Sequence, residues 1–363
     1  MITIKHPIEF PNTYPLDRIG PLKDLLFFDI ETTGFSGETS QLYLIGCTYF
    51  DGFGWKLIQW FADTRQAEKE LLDAFFEFLK RFKILIHFNG DRFDIPYLLK
   101  CCERLGLDYH FDDLISIDIF KKIKPYRKLL KLENMKQKSI EQFLGIARTD
   151  KYNGGQLIEV YKDYLMTHEQ NLYDLLILHN EDDLKGMPSI LPILNYPDFL
   201  EHPLTLSGQE IVDEPGTDGR CRHLLKLTCK SFCSIPVPVK ASLSPARCTM
   251  EKDQITFFVE LTEGTLKHFY PDYKDYYYLP FEDRAVHKSI GSCVDKDARV
   301  KATAASCYTK TTGFFLPQFE DIWEPVMKQE YKDKMRYAAL GDVYLADQAA
   351  LQKYTNAILA YLK

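Results

Sequence analysis

Between residues 25 and 191 short apolar runs alternate with segments of helical period, and that alternation restricts the chain to a layered α/β fold. Leu25–Ile30 is an apolar run suited to a buried strand. Gln41–Phe50 and Trp55–Phe61 follow at hairpin spacing around the turn residues Asp51-Gly52-Phe53-Gly54. Glu68–Phe82 carries Leu71, Leu72, Phe75, Phe76, Phe78 and Leu79 at helical spacing. Ile84–Phe88 predicts a fourth strand, Ile95–Leu105 a helix and Ile115–Phe120 a fifth strand. Ser139–Leu144, Leu157–Tyr164 and Gln170–Leu191 read as helices. The order is a three-stranded meander, a helix, a strand, a helix and a last strand. It predicts a mixed five-stranded sheet flanked by helices.

The 363 residues suffice for two domains. Pro197 and the Gly, Pro, Asp and Glu-rich stretch Gly208–Gly219 mark a boundary. The expected division is therefore a domain over 1–198, a linker over 199–219 and a smaller α+β domain over 220–363. In the last of these, Cys221–Cys233, Val237–Ser242 and Ile255–Leu261 read as strands. Glu263-Gly264 reads as a turn, and Trp323–Leu362 as largely helical.

No apolar run approaches the roughly 18 residues of a membrane span, and Met1–Phe10 lacks the apolar stretch of a signal peptide. Nine cysteines, an odd number without a small-secreted-domain pattern, point to reduced thiols and a cytoplasmic setting. Cys221, Cys229, Cys233 and Cys248 lack the paired spacing of structural zinc sites. A net charge of −7 argues against wholesale wrapping of nucleic acid, though not against local phosphate contacts. One segment runs against the trend: Lys121–Lys138 holds Lys121, Lys122, Lys124, Arg127, Lys128, Lys131, Lys136 and Lys138 against Glu133 alone. It is either a phosphate-gripping surface or a solvated face.

Three acidic motifs carry the chemistry. In Phe28-Asp29-Ile30-Glu31-Thr32-Thr33-Gly34, strand alternation turns Asp29 and Glu31 to one side. Two acids facing one way at the end of a buried strand are costly unless a cation compensates them. In His87-Phe88-Asn89-Gly90-Asp91-Arg92-Phe93-Asp94, a strand ends at an Asn-Gly turn and a helix starts near Asp94, which could equally be a plain helix cap. In His179-Asn180-Glu181-Asp182-Asp183, three consecutive acids lie within a helix. Asp91 and Asp182 compete with Asp94 and Asp183 for assignment because each lies close by.

As an ordered set, Asp29, Glu31, Asp94 and Asp183 form the pattern of the DEDD exonuclease superfamily. Residues 24–195 resemble the RNase H-like exonucleases of the YprB type within it. The Asp-x-Glu-Thr-Thr-Gly start, the Asn-Gly-x-x-Phe-Asp centre and the terminal His-Asn-x-x-Asp carry this resemblance, with Asp118-Ile-Phe and the Gly154/Gly155, Val160-Tyr161 and Tyr164 stretch in support. The superfamily carries Tyr four residues before the last Asp or His five before it. Here His179 occupies the tyrosine position. Residues 200–363 resemble no such family.

The resemblance implies an RNase H-like fold and a 3′–5′ exonuclease acting on single-stranded DNA or RNA. It implies two divalent ions, Mg²⁺ or Mn²⁺, about 3.5–4 Å apart, held by Asp29, Glu31, Asp94 and Asp183, with His179 as general base. Oxygen-only ligands favour those ions over zinc. Thr32, Asn89, Lys121, Lys122 and Lys124 are the candidate substrate contacts. A structure-directed endonuclease or recombinase-like enzyme on the same fold, and a non-catalytic nucleic-acid-binding module, stay open as alternatives.

Overall fold

The structure is a computed structural model that describes residues 1–146, 154–216, 219, 221–343 and 346–362. The chain divides into two compact units, Met1–Asp198 with Ile235–Val237, and Phe199–Ser234 with Pro238–Lys363.

The first unit is built on a six-stranded sheet. Its strands are β1 (Ile2–Pro7), β2 (Leu25–Thr32), β3 (Leu42–Phe50), β4 (Trp55–Phe61), β5 (Ile84–His87) and β6 (Ile115–Asp118). The order across the sheet is β1-β4-β3-β2-β5-β6. β1 to β4 pair antiparallel, whereas β2, β5 and β6 run parallel. The sheet therefore has one strand more than the five expected. β1 adds itself to the edge by pairing Ile2 with Phe61 and Ile4 with Gln59. Pro7 is tolerated there because an edge strand needs only half its donors. The β3–β4 turn is held by Asp51, whose Oδ1 accepts the N–H groups of Phe53 (2.9 Å) and Gly54 (3.0 Å), while Gly52 supplies the φ of 98°.

Helix α1 (Glu68–Leu79) buries Leu71, Leu72, Phe75, Phe76 and Leu79, one face at helical spacing, beneath the meander. Helix α2 (Asp94–Leu105) ends at Gly106, whose φ of 67° lets its N–H reach back to Cys102 and Glu103. The fifth predicted strand is shorter than expected. Asp118 ends β6, and its carboxylate accepts the N–H of Lys121, so Ile119 and Phe120 belong to α3 (Ile119–Ile123). There follow α4 (Gln137–Phe143), α5 (Gly154–Thr167), α6 (Gln170–Ile190) and α7 (Asn195–Glu201). β2 and β3 are buried almost throughout, as expected of central strands covered by helices.

The second unit is β-rich. β7 (Thr205–Pro215), β8 (Cys221–Lys230), β9 (Val239–Leu243), β10 (Ala246–Glu251) and β11 (Gln254–Glu260) form an antiparallel sheet in the order β7-β8-β11-β10-β9. The segment expected as a linker over 199–219 is thus mostly strand, with residues 217 and 218 outside the described residues. β7 pairs with β8 from Thr205 to Pro215, with most of its residues exposed and Leu206, Val212 and Glu214 half-buried. β12 (Thr262–Phe269) runs through Glu263-Gly264, which is not a turn. β13 (Tyr276–Leu279), β14 (Arg284–His287) and β15 (Val300–Lys301) form one small sheet, with α8 (Lys288–Gly291) between the last two strands. β16 (Tyr308–Gln318) and β17 (Arg336–Ala339) join β12 in another. Among the described residues of the stretch expected to be helical from Trp323, Gln348–Leu362 forms the α-helix α9 and Leu340–Asp342 a single 3-10 turn, while Met327 bridges to Tyr337. No helix among the described residues is long and apolar enough to cross a membrane.

Candidate active site

Parallel pairing of β2 with β5 brings the C-terminal ends of both strands to the same side of the sheet. β2 delivers Asp29 and Glu31 there, on either side of buried Ile30. A register shift between Glu31 and Thr32 then releases the strand, and the Thr32 hydroxyl donates to the Gly34 carbonyl at 2.8 Å. After β5 the chain turns at Asn89, which adopts a φ of 66°, a conformation Asn tolerates better than most residues. The turn leads into α2, with Phe93 at the cap position and Asp94 as the first helical residue. Asp94 does not cap its helix. The residue is 6% exposed. From the other direction α6 packs against β2 and β3 and brings His179 and Asp183.

The four carboxylates and the imidazole form one group. His179 Nε2 lies 3.7 Å from Glu31 Oε1 and 3.5 Å from Asp183 Oδ2. One ligand atom from each of these three residues falls within a 4.8 Å span. Burial, then the charges of Glu31, Asp94 and Asp183, hold the Asp29 carboxyl well above the usual carboxylate range. Glu31 is raised likewise by burial, then by Asp183 and Asp94, while a hydrogen bond from Tyr43 works the other way. Burial pushes the Asp94 carboxyl up to about 7, against backbone hydrogen bonds of its own residue and Ile30. So many half-buried acids repel one another, and a divalent cation would reverse the sign of that interaction. Oxygen donors of this kind suit Mg²⁺ or Mn²⁺.

The competing acid Asp91 is occupied elsewhere. Asp91 accepts from Ser116 Oγ at 2.5 Å and Lys121 Nζ at 2.8 Å. Buried Asp118 clamps the turn before α2 by accepting the N–H groups of Asn89 (2.9 Å) and Asp91 (3.3 Å). His87, 1% exposed, accepts the Gly90 N–H on Nδ1 at 3.0 Å and so carries its proton on Nε2, 2.8 Å from Ser116 Oγ. Burial lowers its pKa and keeps it neutral. His87, Asp91 and Asp118 could be taken for a metal site, but these bonds make them the clamp that sets where Asp94 emerges. Asn89 contributes to the same clamp through its backbone.

The basic stretch runs from the end of α3 through a 3-10 turn at Lys124–Tyr126 and irregular backbone to the start of α4, with Ile123, Tyr126, Leu129, Leu130 and Leu132 buried and its lysines exposed. Lys121 is ion-paired with Asp91, so of the three lysines expected to meet substrate only Lys122 and Lys124 are without a described ion pair. In the second unit Cys229, Cys233 and Cys248 are buried and Cys221 exposed; they form no common cluster among the described residues.

Residues 26–195 match the family model of the RNase H superfamily. The fold of the first unit is RNase H-like. The DNA polymerase of Thermococcus kodakarensis is 31% identical over 120 residues, which cover 29% of this chain and 7% of the polymerase. That of Thermococcus sp. strain 9oN-7 is 32% identical over 122 residues, covering 29% of this chain and 16% of the polymerase. This chain thus spans only a small part of the relatives it matches. Among solved structures, the family B DNA polymerase of Pyrobaculum calidifontis aligns at a TM-score of 0.39 and 12% identity, over 69% of this chain and 35% of that one. Exonuclease I of E. coli in complex with single-stranded DNA aligns at a TM-score of 0.28 and 13% identity, over 58% and 55%.

Sequence reasoning passed over three residues of the RNase H-like site. Tyr43 faces Glu31 and counters the rise of its carboxyl, and Asn180 donates to Asp29 Oδ2 at 2.9 Å while accepting from Gln59 at 2.9 Å. Asn180 had a signal, since it precedes Asp183 by three positions and shares its helix face. Tyr43 and Gln59 had none within their apolar strands.

Proposed function

We propose that the RNase H-like unit is a divalent-metal-dependent nuclease that hydrolyses phosphodiester bonds of nucleic acid, as a 3′–5′ exonuclease on single-stranded DNA or RNA. The observation that supports this reading best is the convergence of Asp29, Glu31, Asp94 and Asp183 on one end of the sheet, in mutual repulsion. These four carboxylates would hold the cations. When bound, such ions stabilise charge on the leaving oxygen and make the attacking water more acidic. His179, between Glu31 and Asp183, orients that water or takes its proton. Lys122 and Lys124 offer exposed positive charge to the phosphates of the strand, and the loop shaped by Thr32 borders it. The polarity of digestion follows from the likeness to the DEDD superfamily.

The test is degradation of 5′-labelled single-stranded RNA and DNA with Mn²⁺, Mg²⁺ or EDTA. A metal-dependent ladder shortening from the 3′ end is expected, falling to background in Asp29→Ala and Asp183→Ala. Wild-type rates in either variant would remove the carboxylates from the mechanism. Cleavage of substrates blocked at both ends would make the enzyme an endonuclease.

A further inference from the structure

Asp29 of β2, Gly46 of β3 and Gln59 of β4 are direct cross-strand partners and form one row across the sheet. Residues opposite one another in adjacent strands share a face. A side chain at position 46 would therefore stand between the carboxylate and the amide. Gly46 has none, and α6 fills the space. A Cβ on Gly46 would lie 1.9 Å from Asn180 Oδ1 and 2.5 Å from Leu184 Cδ1.

Asn180, wholly buried, spans the gap. Its Nδ2 donates to Asp29 Oδ2 at 2.9 Å, and its Oδ1 accepts from Gln59 Nε2 at 2.9 Å. Gln59, also wholly buried, gives its other amide hydrogen to the Ile177 carbonyl at 3.1 Å. The direction of every bond is dictated. A carboxylate only accepts, so the Asn180 nitrogen faces Asp29. That turns the Asn180 oxygen toward Gln59, and both hydrogens of the Gln59 amide are spent on α6. The chain of bonds ties β2, β4 and α6 together through the absence of a side chain on β3.

We propose that Asn180, braced by Gln59 and admitted by Gly46, is a positioning residue that holds the Asp29 carboxylate in one orientation before a cation arrives. The proposal rests on the reading of Asp29 as a metal ligand. Without the brace, Asp29 must be ordered at the moment of binding, and affinity falls by that cost. Partners of this kind, behind a metal ligand, change affinity or activity by about 10–100-fold.

The experiment is calorimetric titration of the full chain with Mn²⁺, paired with thermal unfolding in EDTA. Asn180→Ala should bind Mn²⁺ about 10–100-fold more weakly and lose kcat with KM for a nucleic-acid strand unchanged. Gln59→Met, which touches neither ion nor Asp29, should weaken Mn²⁺ in the same direction. The double variant should bind no worse than Asn180→Ala, because the two act as one device. Wild-type Mn²⁺ affinity in Asn180→Ala, whatever its melting temperature, overturns the proposal by leaving Asn180 a merely structural role. Additive losses in the double variant overturn the coupling. If Asn180→Ala fails to fold, wild-type Mn²⁺ affinity in Gln59→Met overturns it alone. Unchanged Mn²⁺ affinity in Asp29→Ala would instead bring down the metal site itself, and the proposal with it.

Discussion

Asp94 sits in the first turn of α2 with 6% of its surface exposed, and burial pushes its carboxyl up to about 7. In the unfolded chain an aspartate titrates near 3.9. The folded, metal-free protein therefore binds this proton more tightly than the unfolded chain. Stability falls as pH rises from about 4 to about 7, and the full cost, on the order of 4 kcal/mol, is present above that window. Asp29 and Glu31 are raised as well and act in the same direction. In EDTA the melting temperature should drop between pH 5 and pH 8, and Asp94→Asn should flatten part of that slope. Thermal unfolding across the window checks this; a wild-type profile that rises with pH contradicts it. The motifs made these acids visible, but they could not separate Asp94 from Asp91. That separation comes from Ser116 and Lys121, which meet Asp91 from a different strand and helix. Gly46 was illegible for a simpler reason: what matters is a missing side chain, and its use appears only when α6, far downstream in the sequence, fills the space.

At the scale of elements, the meander was legible as apolar runs separated by turn residues, and α1, α2, α5 and α6 by the helical spacing of their apolar residues. β1 was not. Ile2 and Ile4 alternate with Thr3 and Lys5, but the run is short and ends in Pro7. Its role as an edge is evident only against β4. The segment from α3 to α4 was legible as a charge run and illegible as structure. Its buried apolar residues give it a fixed platform, which makes the exposed lysines a defined surface. Lys122→Glu with Lys124→Glu should raise KM for single-stranded substrate and leave kcat nearly unchanged. For every phosphate the variant no longer neutralises, the slope of log affinity against log salt should shrink by about 0.7. Binding measured from low to moderate salt reads both effects, and an unaltered slope would make this segment a solvated face only.

Over the whole molecule, the second unit was the least legible part, since its strands carry mixed exposure and β8 pairs with β11, and β12 with β16, across intervening strands. Gly208–Gly219 reads as a linker because it is rich in Gly, Pro, Asp and Glu, residues that β7 can carry because eight of its eleven positions are exposed. The carboxylate cluster lies in the first unit, so excess Mn²⁺ should raise the unfolding transition of that unit by about 2.7 kcal/mol at a hundred times the dissociation constant. Calorimetry with Mn²⁺ and with EDTA would read the shift; equal midpoints in both would deny the site a cation. The first unit is also discontinuous along the chain. Tyr196, wholly buried, donates its hydroxyl to the Val237 carbonyl at 2.6 Å and accepts the Val237 N–H at 3.1 Å. The RNase H superfamily match stops at residue 195, one position short. Cutting the gene there, or at 198, would yield a fragment whose last piece, Ile235–Val237, is written well beyond the cut. Tyr196→Phe should cost about 1–3 kcal/mol in a denaturant melt by leaving Val237 unsatisfied. In this chain the RNase H-like body is a discontinuous message, and a single cut after it leaves Ile235–Val237 behind.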